Sequence, residues 1–166
     1  MNYNKLTSLV ANVEAIETAV NIHVQGRTAT TDEKEILSRY SGFGGIKEVL
    51  NIGTDNPVTD NMAEPLNRLE KALRTWTGED ETMYRTLIES IKASVLTAFY
   101  TPQFIVEAVA RQIHDTFQQN GLKMRSLLEP SAGIGGFLPV AMPGTHSYAF
   151  EKDCITGLIL SLLHDD

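Results

Sequence analysis

Apolar residues recur at helical spacing through the first half of the chain. Leu6, Leu9, Val10, Val13, Ile16, Ala19 and Val20 stand mostly three or four apart, which predicts an amphipathic helix over residues 3–24. Gly26 supplies its stop. Thr30, followed three residues on by Glu33, forms a capping box that opens a short helix to about Tyr40. The segment YSGFGGIKEVL then turns on glycines into another short helix. Residues 51–61 contain Gly53, Asn56, Pro57 and two aspartates and read as a loop. Leu66, Leu69, Ala72, Leu73 and Trp76 stripe a further helix that Gly78 ends, and Met83, Leu87, Ile91 and Val95 stripe the next.

The pattern changes at Phe99-Tyr100-Thr101-Pro102. Thr101 suits an N-cap and Pro102 the first helical position, with Phe104, Ile105, Ala108, Val109, Gln112 and Ile113 continuing a helix to about Gln119. Asn120-Gly121 stops it. A short buried strand over residues 125–129, a glycine turn, a helix over 135–141, a second strand over 147–151 and a last helix over 154–163 follow. The first half is thus helical and the second half β-α-β-α. The two strands are expected side by side and parallel, joined through the helix after the glycine turn. The sheet edge and the apolar face of residues 154–163 need cover, from a second copy of the chain or from the helical half.

Composition narrows the class. The chain has 166 residues and 42% hydrophobic content, enough for a packed core. No apolar run reaches spanning length and residues 1–20 lack the apolar centre of a signal peptide, so a cytoplasmic protein without a membrane partner is expected. The single cysteine, Cys154, leaves no intrachain disulfide, and none of His23, His114, His146 and His164 stands near it at ligand spacing, so no metal site is expected. The formal net charge is −7, with the 14 Lys and Arg scattered. Free-standing DNA-binding modules usually carry a basic face, so DNA contact by this chain alone is expected to be weak or absent.

The candidate chemistry lies in LLEPSAGIGGF. A strand, a glycine turn and a helix can aim backbone N–H groups and a helix N-terminus at a ligand. Gly133, Gly135 and Gly136 permit close backbone approach. Leu138 stands at the third place of a dinucleotide fingerprint, where bulk hinders helix–strand packing. A Walker loop is excluded, because no Gly-Lys-Ser or Gly-Lys-Thr occurs. Glu129 at the strand end repels phosphate and suits an ammonium. Glu151 ends the next strand at the spacing of about 20 residues where an acid takes ribose hydroxyls. A ribose, an ammonium and no phosphate describe S-adenosylmethionine. The plainer alternative is a glycine turn with two capping acids and no ligand.

Read in order, TAFYTP with its amphipathic helix, LLEPSAGIGGF and YAFEKD resemble the start of the adenine-specific (N-6) DNA methyltransferases whose cofactor motifs precede the catalytic one. The resemblance covers residues 94–163. GRTATTDEKEILSRYSGFGGIKEVL is similar, less specifically, to the segment before the methylase region in large methylase–helicase proteins of phages and conjugative elements. Gly42, Gly44 and Gly45 there suit either a direct functional role or a packed aromatic loop behind a helix end. The resemblance implies a Rossmann-like S-adenosylmethionine-dependent fold of class α/β, with a helical region 1–93 and a partial cofactor-binding domain 94–166. It places Tyr100, Thr101 and Pro102 at the methionine end of the cofactor. Glu129, Pro130, Ala132, Gly133 and Gly135 would form the main turn, and Glu151 would hold the ribose. Phe99 and Phe137 equally suit the core.

The sequence departs from that family in one decisive respect. Methylation there uses a later D/N/S-P-P-Y/F segment, which bonds the target amine and stacks on a flipped base. The six prolines here are all isolated from one another, so that segment is not in the sequence and no catalytic residue is expected. The expectation is a cofactor-binding front part, a fragment or truncated product, inactive alone, with DNA as the partner of the full-length protein and a homo-oligomer as one way to cover the open sheet edge. The rival is a non-enzymatic interaction module that retains a methylase-like remnant. A small-molecule or protein methyltransferase fits the turn but not FYTP placed before it.

Overall fold

The structure, a computed structural model, describes residues 4–54, 58 and 60–164. It is a mixed α/β chain. Among the described residues it has six α-helices and one two-stranded parallel sheet. Helix α1 is Lys5–Gln25; the expected start at Tyr3 lies outside the described residues. Asn4 caps it by accepting from the N–H groups of Leu6 and Thr7. Gly26 closes it with a left-handed φ of 63° that a side chain would disfavour.

Helix α2, Thr31–Leu37, opens on the expected capping box, with Thr30 and Glu33 bonded reciprocally. It stops short of Tyr40. The turn beyond it enters a 3-10 helix, Lys47–Asn51. Of the expected loop over 51–61, residues 55–57 and 59 lie outside the described residues. Helices α3, Ala63–Thr77, and α4, Glu81–Ser94, follow.

Helix α5, Gln103–Gln119, begins one residue later than the sequence implied. Thr101 is not its N-cap. Pro102 takes that place with an extended ψ of 140°, and no side chain caps the helix. Strand β1, Ser126–Glu129, and strand β2, His146–Ala149, pair in parallel with Ser126 opposite His146 and Glu129 opposite Ala149. Helix α6, Cys154–Leu163, has the expected bounds, capped by Asp153, which accepts from Thr156 N–H at 2.7 Å.

Three further expectations fail locally. The helix over 135–141 does not form; only a 3-10 helix, Leu138–Val140, stands there. Gly133 and Gly135 hold φ of 56° and 88°, outside the helical region, and Pro139 lacks the N–H a helix would require. Pro143 favours extended backbone at Met142 and so closes the other end. The strands are also not buried, since Leu128 and Tyr148 are 62% and 55% exposed. Finally, β2 ends at Ala149, so Glu151 lies two residues beyond the strand.

The reason the sheet is bare lies in the core. Leu9, Val13, Ile16, Leu37, Phe43, Leu69, Leu73, Leu87 and Ile91 form one buried cluster, and Ile155 and Ile159 of α6 complete it. Helix α6 packs on α1, α2 and α4, while α5 packs on the 3-10 helix Leu138–Val140. The apolar face of α6 is therefore covered by the helical half, one of the two covers expected for it. Burying each such Leu or Ile is worth about 1.5–3 kcal/mol. No helix of the described residues is long and apolar enough to cross a membrane.

Candidate functional site

The glycine turn follows β1 directly and is stitched to the chain after β2. Phe150 N–H donates to the Glu129 carbonyl at 2.9 Å, and Ala132 N–H donates to the Phe150 carbonyl at 2.9 Å. These two bonds continue the parallel ladder past its formal end. They bring Glu151 against the turn. Its Oε2 accepts from Gly133 N–H at 2.9 Å and its Oε1 from Asp153 N–H at 2.8 Å. The half-buried carboxylate thus ties the turn to the start of α6.

Tyr100 packs on the same turn. A Cβ placed on Gly133 would lie 2.3 Å from Tyr100 Cε1, so only glycine admits the ring there. Tyr40 meets Tyr100 edge-on, with centroids 6.4 Å apart. Partial burial pushes the Tyr100 phenol up to about 12, although 36% of the residue stays exposed, and the Glu151 and Asp153 charges add in the same direction. Tyr40, wholly enclosed, is raised well above its ordinary value, first by burial and then by Tyr100. Asp153 also accepts from Ser90 Oγ of α4. The far side of the turn is held by His164, whose Nε2 lies 3.1 Å from the Ile134 carbonyl and 2.4 Å from where a Gly135 Cβ would stand.

Of the expected site residues, Tyr100, Ala132, Gly133, Gly135 and Glu151 come together. Ala132 is buried. Glu129 stays apart: its carboxylate accepts only a long 3.4 Å bond from Ser131 N–H. Thr101 and Pro102 are exposed, as is Pro130. Phe99, a possible core residue from sequence, is 70% exposed, and Phe137 is half-buried. Sequence reasoning missed Tyr40, Asp153, Thr156 and His164. Asp153 had a local signal, an acid three residues before Thr156 at a helix start. The others are joined to the turn only by tertiary contact.

Glu151 also borders a cleft of about 710 Å³ between β2 and α6, where Leu138, Phe150, Leu160 and His164 are among the walls. With its two bonds to backbone N–H groups made, each carboxylate oxygen keeps a lone pair for another donor. The cleft therefore offers a carboxylate that can accept from a diol, beside mixed walls in which Leu138, Phe150 and Leu160 are the apolar part. A helix N-terminus aimed at the turn is not part of this geometry, because the expected helix is absent. Among the described residues no three His, Cys, Asp or Glu side chains converge as metal ligands. Neither a protein-family model, nor a curated protein, nor a solved structure matches this chain.

Proposed function

We propose that residues 94–164 form the S-adenosylmethionine-binding front part of an adenine-specific (N-6) DNA methyltransferase of Rossmann-like fold, whose P-P-Y/F catalytic segment is not in this sequence. The observation that carries it is the Glu151 carboxylate, held 2.9 Å from Gly133 N–H at the mouth of the cleft. Two parallel strands, the first ending in Glu129 and the second followed two residues on by Glu151, flank a turn that only glycine can make. Glu151 accepts the two ribose hydroxyls through its remaining lone pairs. Leu138, Phe150 and Leu160 give the adenine ring apolar surface. Glu129, at the end of β1 and apart from that cluster, takes the ammonium of the methionine end. The bound cofactor supplies an activated methyl group; the residues described here bind and orient it. DNA is the partner of the full-length protein.

Calorimetry with S-adenosylhomocysteine, which cannot react, is the test. The wild-type chain should bind, and Glu151→Ala should bind at least tenfold more weakly. Hydrogen bonds to a charged group contribute about 1.5–3 kcal/mol each, and about 1.4 kcal/mol is a decade of affinity. Equal binding by Glu151→Ala refutes the ribose assignment. Absence of heat from wild type at about 1 mM ligand, where even binding worth about 4 kcal/mol is seen, removes the cofactor from this chain.

A second reading, a non-enzymatic interaction module with a methylase-like remnant, is favoured by one observation. Leu128 and Tyr148, register partners in the sheet, are both more than half exposed, as is Phe150 two residues on, and contiguous exposed apolar groups mark interaction surfaces. Calorimetric silence together with concentration-dependent sedimentation would favour this reading, with a second copy of the chain as the partner.

A further inference from the structure

The glycines of SGFGG have a use that the cofactor motifs alone do not explain. Asn12, in the middle of α1, is fully buried. Its Nδ2 donates to the Gly42 carbonyl at 2.6 Å, and its Oδ1 accepts from Ser41 N–H at 2.8 Å and Ser41 Oγ at 3.3 Å. Gly45 N–H donates to the Val95 carbonyl at 3.0 Å, just past α4. The loop 41–45 is thus pinned to two helices of the core.

Residues 98–100 lie directly on this loop. A Cβ on Gly44 would stand 2.2 Å from the Ala98 carbonyl oxygen and 3.0 Å from the Phe99 ring; one on Gly42 would stand 2.8 Å from Ala98 Cβ and 3.2 Å from Tyr100 Cε2. The opposite ring edge, Cε1, is the one that meets Gly133. Tyr100 is therefore a spacer, with one edge on the pinned loop and the other on the turn.

We propose that Asn12 and the loop 41–45 position the glycine turn, with Tyr100 transmitting the loop's place to Gly133 and so to the Gly133–Glu151 bond. Asn12 is a positioning residue, acting through its bonds to Ser41 and Gly42. What the turn binds rests on the function proposed above; the mechanical link does not.

Two substitutions in one loop separate displacement from strain. Gly44 does not have a positive φ, so Gly44→Ala pushes residues 98–99 aside without straining its own backbone. Gly45 has a φ of 76° and open space around it, so Gly45→Ala strains the loop and displaces nothing. Amide hydrogen exchange followed by NMR reads the result at Gly133 N–H. Gly44→Ala should lower its protection about tenfold or more, whereas Gly45→Ala should leave it as in wild type even as the melting temperature falls. Unchanged protection in Gly44→Ala, or equal loss in both, overturns the proposal.

Tyr100→Ala removes the spacer without crowding the loop and serves if Gly44→Ala does not fold. It should cost Gly133 its protection while Ser41 N–H, held by Asn12, keeps its own. Gly133 protected as in wild type would again overturn the proposal. None of these readings requires a ligand, so failure of S-adenosylhomocysteine to bind would count against the cofactor alone.

Discussion

Asn12 allows a sharp test, because its surroundings dictate the sign and the pH dependence of what replaces it. The side chain is wholly buried and both ends of its amide are bonded. An aspartic acid has nearly the same shape. Protonated, its O–H can donate to the Gly42 carbonyl while its other oxygen accepts from Ser41 N–H. Ionised, it has no donor and would press a charged oxygen on the Gly42 carbonyl oxygen, where Asn12 now donates at 2.6 Å. The folded Asn12→Asp protein must therefore hold its acid protonated, with a pKa raised above the unfolded value of about 3.9.

The sign follows from linkage. Below about pH 4 both states are protonated, and Asn12→Asp should be nearly as stable as wild type. As pH rises, the unfolded chain releases the proton and the folded one does not. Stability relative to wild type then falls by about 1.4 kcal/mol per pH unit until the folded-state pKa is passed. By pH 7 the deficit can reach ~4 kcal/mol. Asn12→Leu has no titrating group and should lose a pH-independent amount. That loss comes chiefly from the orphaned Gly42 carbonyl, about 1–3 kcal/mol; Ser41 is exposed and regains water. Urea unfolding of the three proteins between about pH 4 and pH 7 measures these differences. If Asn12→Asp runs parallel to wild type over that range, the buried amide does not clamp the loop.

Two further predictions concern the core and the surface. Ile159→Ala should cost ~2–5 kcal/mol in urea unfolding, because Ile159 is wholly enclosed, whereas Leu128→Ala on the bare sheet should stay within ~0.5 kcal/mol; the reverse order would mean that α6 belongs to the sheet and not to the helical core. Glu33 accepts from Arg27 at 2.6 and 2.7 Å and from Thr30 N–H at 2.9 Å, and the Arg27 hydrogen bonds foremost lower its pKa from 4.5 to about 2. A lowered folded pKa gives stability that is present above about pH 4.5 and is lost as pH falls toward 2; a side-chain NMR titration with its midpoint at the ordinary value would show that this capping box is open in solution.

Helices were legible where apolar period and caps agreed. The α1 stripe runs about four turns in a helix that ends on a glycine with positive φ, and α6 starts behind an acid that bonds its first turn. The glycine turn misled because strand, glycine and apolar residue in sequence suggest a helix, whereas two positive-φ glycines and Pro139 leave room only for a 3-10 turn. The acids were visible as a pair, yet their fates differ through tertiary structure. Glu151 is drawn in by two backbone N–H groups, whereas Glu129, half-buried as well, accepts a long bond from Ser131 N–H. Asn12 carried a readable signal that periodicity alone passes over. It stands on the buried face between Leu9 and Ile16, and a buried amide there demands partners. Which partners could not be read, because Ser41 and Gly42 are distant in sequence.

The LILSLL run of α6 raises a related question, since two of its sides meet different surroundings. At roughly 100° per residue, Ile155 and Ile159 share one face and Gly157, Leu160, Ser161 and His164 share the opposite one. The first face completes the helical core. The second lines the cleft beside Glu151. The strongly apolar side, which includes Leu158, Leu162 and Leu163, is fully accounted for by the core, and the cleft side is mixed. The cleft wall is therefore anchored through Ile155 and Ile159 to α1, α2 and α4 rather than by the exposed two-stranded sheet. Asp153 adds a second anchor by accepting from Ser90 of α4, and it stands two residues after Glu151. The acid at the cleft mouth and the helix that forms the wall are thus both set by the helical region, so changes in that region should be felt at Glu151 before they are felt in β1 or β2.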